Sequence, residues 1–219
     1  YHCFKNYRKA DDPSSGYKHY IRHQGFDRVA STGGRATAEA RLHWIVNEST
    51  PVIIEQRSWT VVALEGRDYL IDLEWSLTPA LDEATFVSDW VHYAWPYLRI
   101  HPQFSGEQGG TIASDAGAKG ADATNGKPAK WIDYANSIEG AAEGVAVFIF
   151  PDEAQHNWLT REYGTFGPRR PDDQSGTHFT LAKGQKLNGR VGVYVHDGDV
   201  ASGRVAEIYD AYVKGRLTQ

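Results

Sequence analysis

The chain has 219 residues, a formal net charge of -5, and 41% hydrophobic and 12% aromatic residues. That is enough apolar side chain to bury a core, which argues against disorder. The acidic balance, with no basic stripe, argues against a nucleic-acid partner.

No apolar run approaches the ~20 residues that a spanning helix needs, so no membrane partner is expected. The single cysteine, Cys3, excludes an internal disulfide framework. Methionine is absent even at position 1. The sequence is therefore expected to begin inside a longer product, and a periplasmic or extracellular setting is favoured over a cytoplasmic one. Seven Trp and twelve Tyr hint at sugar binding, because aromatic faces stack on the apolar faces of pyranose rings. Most of them have the simpler role of filling a β core.

Residues 1–16 read as an irregular N-terminal segment ending in the turn Asp11-Asp12-Pro13-Ser14-Ser15-Gly16. From Tyr17 to His23 the pattern turns to strand. Between Arg35 and Val46 the residues Ala36, Ala38, Ala40, Leu42, Trp44 and Val46 alternate with Thr37, Glu39, Arg41, His43 and Ile45. Val52–Leu64 and Asp68–Leu77 read as the next two strands, the second with Tyr69, Ile71, Leu73, Trp75 and Leu77 inward. The intervening segments have hairpin length and turn chemistry, so the three strands should form an antiparallel meander with one face buried and one polar.

Beyond the aromatic-rich stretch 89–99, residues 103–127 read as long loops around a short strand at Thr111 and Ile112. Lys130–Tyr134, Gly144–Phe150 and Gly192–His196 are further strands, and the nearly all-apolar run 144–150 should be central and buried on both faces. The tail changes period. Val205, Ile208, Tyr209, Tyr212 and Val213 form a helical stripe suited to docking on a sheet. With no repeat and no linker, one mainly β domain covering 1–219 with a C-terminal helix is the simplest architecture.

The segment His156–Arg170 concentrates functional chemistry. It holds a His, a Trp, two further aromatics and three Arg, with glycines and a proline that read as excluding regular structure. A ligand-facing loop or a rigid brace would both use such a segment.

Trp131-Ile132-Asp133-Tyr134, then 144–148, then His156-Asn157-Trp158 with 161–167, then Val195-His196-Asp197-Gly198-Asp199 occur in a fixed order. This order resembles the family of unknown function labelled the PmoA family, over roughly residues 20–215. The resemblance implies an all-β supersandwich similar to galactose-mutarotase-like folds, in a setting of carbohydrate catabolism. It does not imply a methane oxygenase, which would be a membrane protein. Two departures stand out: a paired-His motif expected upstream is missing, and Leu159 follows the central Trp where many members carry His.

Candidate catalytic residues are His156, His92, Arg161 and Asp89. His156 follows the buried strand and a turn, and an imidazole there can act as a general acid or base. Asp89 and His92 stand where the resembled family tends to carry an acidic residue and a His or Glu. Arg161 offers a planar donor fork for a carboxylate or vicinal hydroxyls.

Candidate substrate-binding residues are Trp158 as a stacking face, with Tyr163, Arg169, His23 and His101. Glu39, Glu55, Arg57 and Glu74 lie on strands and are explained as solvated or cross-strand-paired. His196-Asp197-Gly198-Asp199 reads as a turn, with Asp or Gly starting the terminal helix.

No cofactor is expected, and a divalent metal held by scattered His is the lesser alternative. The expected ligand is a carbohydrate, bound and processed by His/Arg acid–base chemistry on a concave sheet face. If the protein is an enzyme, the residues suggest a metal-independent sugar hydrolase, lyase or isomerase. A non-catalytic carbohydrate-binding module or a structural module uses the same residues without turnover.

Overall fold

The computed structural model describes residues 16–88, 94–151, 156–169 and 177–217. Strands make up 57% of the described residues, and the fold is mainly β with a C-terminal helix.

Its centre is an eight-stranded antiparallel sheet. The strands are β1 (Tyr20–Thr32), β2 (Arg35–Val46), β3 (Thr50–Ala63), β4 (Tyr69–Pro79), β7 (Thr111–Ser114), β8 (Trp131–Ile138), β9 (Ala141–Ile149) and β13 (Leu187–Asp197). Their spatial order is β1-β2-β3-β4-β13-β9-β8-β7. The first four form a meander, one strand longer than the three expected. The last strand then inserts between β4 and β9, joining the two halves of the chain into one sheet. Strand β9 is internal, as its apolar run requires.

Opposed residues of antiparallel strands point to the same face, so the register defines two faces. On the first, Ile132, Val147 and Val191 pack under a three-stranded sheet made of β6 (Leu98–Arg99), β10 (Trp158–Arg161) and β11 (Thr165–Pro168), through Trp158 and Phe166. On the second, Leu70, Phe148 and Tyr194 receive the helix Val205–Val213 through Val205, Ile208, Tyr209 and Tyr212. The helical stripe therefore docks on a sheet face, and β4 is packed on both sides rather than polar on one. Asp72 fastens this joint. It accepts two hydrogen bonds from Arg190, at 2.9 and 2.6 Å, and one from the Tyr212 hydroxyl at 2.9 Å.

Two further expectations change. The helix is not started by Asp or Gly. Its N-cap is Arg204, in the left-handed region, after a turn in which Asp199 accepts from the Ala201 and Ser202 amides. The segment around His156 is not free of regular structure either. Residues 158–168 form a β-hairpin, with Gly164 at φ 86° supplying the left-handed turn residue. A second short ribbon pairs β5 (Glu83–Ser88) with β12 (Thr177–Ala182).

Candidate functional site

The three-stranded sheet covers only half of its face of the large sheet. Where that cover ends, a cleft of about 1020 Å³ opens over β2, β3, β4 and β13. Ligand pockets are on the order of 300–1,000 Å³, so this cleft lies at the upper end.

Its floor is one cross-strand row: Ala40 opposes Arg57, Arg57 opposes Trp75, and Trp75 opposes Gly189. The glycine is what allows the arrangement. A Cβ at position 189 would sit 2.1 Å from the Trp75 ring, so the indole lies flat across the bare backbone of β13. Trp75 is half-buried, with one side against the sheet.

Arg57 is held from behind. Its Nε and Nη2 both donate to Oε1 of Glu55 at 2.5 Å, while Glu55 Oε2 accepts from Trp44 Nε1 at 2.7 Å. Glu55 is 1% exposed, and its charge is compensated by the guanidinium that lines the cleft. Pro168, His156, Trp95 and Phe179 also line it, with the Trp95 amide donating to the Pro168 carbonyl at 2.6 Å. Trp44, Phe86, Trp95 and Phe179 form a continuous aromatic cluster with ring centroids 5.5–6.4 Å apart.

Of the residues singled out from sequence, the structure brings His156 to this cleft. His156 Nδ1 lies 2.7 Å from the Arg169 carbonyl oxygen. A carbonyl only accepts, so Nδ1 carries a proton and Nε2 is the nitrogen left to act as an acceptor or a base.

Trp158 does not offer a stacking face. It is 0% exposed in the core, with its indole N–H donated to the Ala129 carbonyl at 2.8 Å. Arg169 is 8% exposed and works inside the fold, its Nη2 donating to Asn125 Oδ1 at 3.3 Å and its amide to the Asn157 carbonyl at 2.8 Å.

Arg161 and Tyr163 lie at the turn end of the hairpin, about 17 Å along the strand from His156 at ~3.4 Å per residue. There the Arg161 backbone brackets the Tyr134 hydroxyl, and Arg99 stands over the Tyr163 ring at 5.5 Å. His101 is near the same end, where its ring accepts from the Gln103 amide at 3.4 Å. His23 is on β1, with its ring 4.6 Å from that of Phe26. Asp89 and His92 lie outside the described residues. The five chosen from 156–169 thus share a hairpin but not a site, because alternation and length send its two ends to different surroundings.

The buried pair His196–Asp133 lies in the other layer, 2.9 Å apart with side chains 0% and 1% exposed. Burial pulls the imidazole pKa down, but the hydrogen bond and charge of Asp133 outweigh it, and His196 sits above its ordinary value. Burial likewise holds the Asp133 carboxyl above its own. Gly144 and Gly203 leave room for the ring, since a Cβ at either would come within 2.6 Å of it. The pair braces the turn leading into the helix.

Sequence reasoning passed over Trp75, Glu55 and Arg57, which build the floor. Alternation placed Trp75 inward, but nothing local marked that part of the face as uncovered. Among the described residues, no group of three or more His, Cys, Asp or Glu is arranged to hold a metal ion, and no helix is long and apolar enough to cross a membrane.

No curated protein matches this chain. A solved structure, described as a candidate kojibiose phosphorylase from the human microbiome, is similar with a TM-score of 0.34 and 10% identity over 91% of this chain. The chain spans 25% of that protein's length. A family model matches residues 6–210, nearly the whole sequence; it names no activity and is silent on the PmoA resemblance drawn from the motifs. The chain belongs to the family of unknown function DUF6807.

Proposed function

We propose that this cleft binds an uncharged sugar ring, with Trp75 as the stacking platform and Arg57 as the hydroxyl donor. The observation that carries this reading is the Trp75 indole laid over Gly189 in the cleft floor, beside a guanidinium fixed by a buried carboxylate. A pyranose has an apolar C–H face and a rim of hydroxyls. An aromatic plate bordered by planar donors complements both. Because Glu55 cancels the charge of Arg57, the floor favours hydroxyls over a carboxylate on the ligand.

Isothermal titration of the full chain against a panel of neutral monosaccharides, glycosides and sugar acids tests the reading. A neutral sugar should bind, and Trp75→Ala should weaken it at least tenfold, about 1.4 kcal/mol, with the far-ultraviolet spectrum of the wild type. Absence of binding by every neutral sugar, or full affinity in the variant, would refute it.

Acid–base turnover is a second reading, favoured by the tautomer of His156. With Nδ1–H held by the Arg169 carbonyl, Nε2 is the basic nitrogen of a ring that lines the same cleft. A His156→Ala variant should then bind the sugar yet form no product. Turnover retained in that variant would leave the cleft a binding site alone.

A further inference from the structure

We infer that the cleft takes an extended, uncharged oligosaccharide lying across the strands, with Phe26 on β1 as a second platform. This rests on the reading of the cleft as a sugar site.

The floor row does not stop at Ala40. Phe26 opposes Ala40 just before a bulge in β1, and its ring meets that of His23, which opposes Leu42 two residues along β2, so Phe26, Ala40, Arg57, Trp75 and Gly189 form one line across five adjacent strands. Neighbouring strands are about 4.8 Å apart, which puts Phe26 and Trp75 about 14 Å from each other, farther than one sugar ring reaches. Between them stand Ala40, recessed and 2% exposed, and the Arg57 donor. A chain leaving Trp75 towards Phe26 passes the Arg57 donor and then Ala40.

Phe26 is 58% exposed, an unusual position for a phenylalanine, and its ring is propped by His23 at 4.6 Å. The cleft itself reaches β1, because Asp27 lines it. The charges beside the line are compensated in place: Arg57 pairs with Glu55, and Asp27, at the bulge after Phe26, accepts from Arg41 at 2.9 Å. Such a line suits a neutral glycan rather than a polyuronate.

The experiment is titration with ladders of malto-, cello- and laminari-oligosaccharides of increasing length, with the solution mass measured in parallel by light scattering. For one ladder, affinity should rise by about tenfold from the monosaccharide to the tri- or tetrasaccharide. Phe26→Ala should remove that gain while leaving monosaccharide affinity and mass unchanged, and Phe26→Trp should keep it.

Monosaccharide binding with no dependence on length would overturn the inference and leave the Trp75 site standing. Silence from every sugar would overturn both. A fall in mass in Phe26→Ala would instead make β1 a contact between copies of this chain, which also overturns the inference.

Discussion

A buried carboxylate costs free energy unless its charge and lone pairs are satisfied. Glu55 meets that condition through Arg57 and Trp44, and in doing so it aims a guanidinium into the cleft. Glu55→Ala should therefore act twice. Loss of charge-assisted bonds at a partly solvated pair should lower stability by about 2 kcal/mol, read as a lower urea midpoint. Sugar affinity should fall as Arg57 loses its orientation. A wild-type midpoint would show that the pair holds nothing together.

Trp158 provides the contrast. It is fully buried, so Trp158→Ala should cost about 3–5 kcal/mol of unfolding free energy, visible as a much lower melting temperature. Trp75→Ala should lower melting less, because its indole packs on the core around Trp158 with one face only. Sequence assigns them the opposite way, with Trp75 inward on a strand and Trp158 as a stacking face in an irregular segment. What separates them is which layer lies over each one.

At the scale of elements, the site depends on one strand lacking a side chain where its neighbour carries a large one. A methyl at position 189 would collide with the Trp75 ring and tilt it off the sheet. Gly189→Ala should weaken sugar binding on the order of tenfold while the far-ultraviolet spectrum stays that of the wild type. Unchanged affinity would show that the flat pose of the indole does not matter.

The hairpin 158–168 shows why the original cluster dissolved. Its residues are close in sequence, but a strand separates its ends as effectively as a spacer, leaving His156 at the cleft and Arg161 at the far turn. The glycines that suggested an irregular loop are used for one tight turn and one close approach, the latter where a Cβ on Gly167 would lie 2.2 Å from the Pro96 carbonyl oxygen.

For the whole molecule, the buried His196–Asp133 pair ties strands β8 and β13 to the turn before the helix, so its protonation couples to global stability. His196 has a folded pKa above its unfolded value of about 6.5. Its contribution is therefore fully present below that value and is lost as pH rises through the raised folded one. Melting temperature should fall as pH rises from roughly 6 into the alkaline range, and Asp133→Asn should flatten that decline. A flat wild-type profile would show that the ring keeps one protonation state.

What the sequence by itself determined was local: the period of two in β2, β3 and β4, the apolar run of β9, the change to a helical stripe at 205–213, and hence a mainly β protein with a terminal helix. These follow from side-chain alternation, which short-range geometry dictates. Only the tertiary structure decided that β13 enters between β4 and β9, that β10 and β11 cover half a sheet face, and that Trp75, Arg57 and Gly189 form one uncovered row. The pairing that closes the row joins residues more than 100 positions apart, β4 with β13. Non-local register, set by how whole faces pack, leaves no periodic trace at either partner.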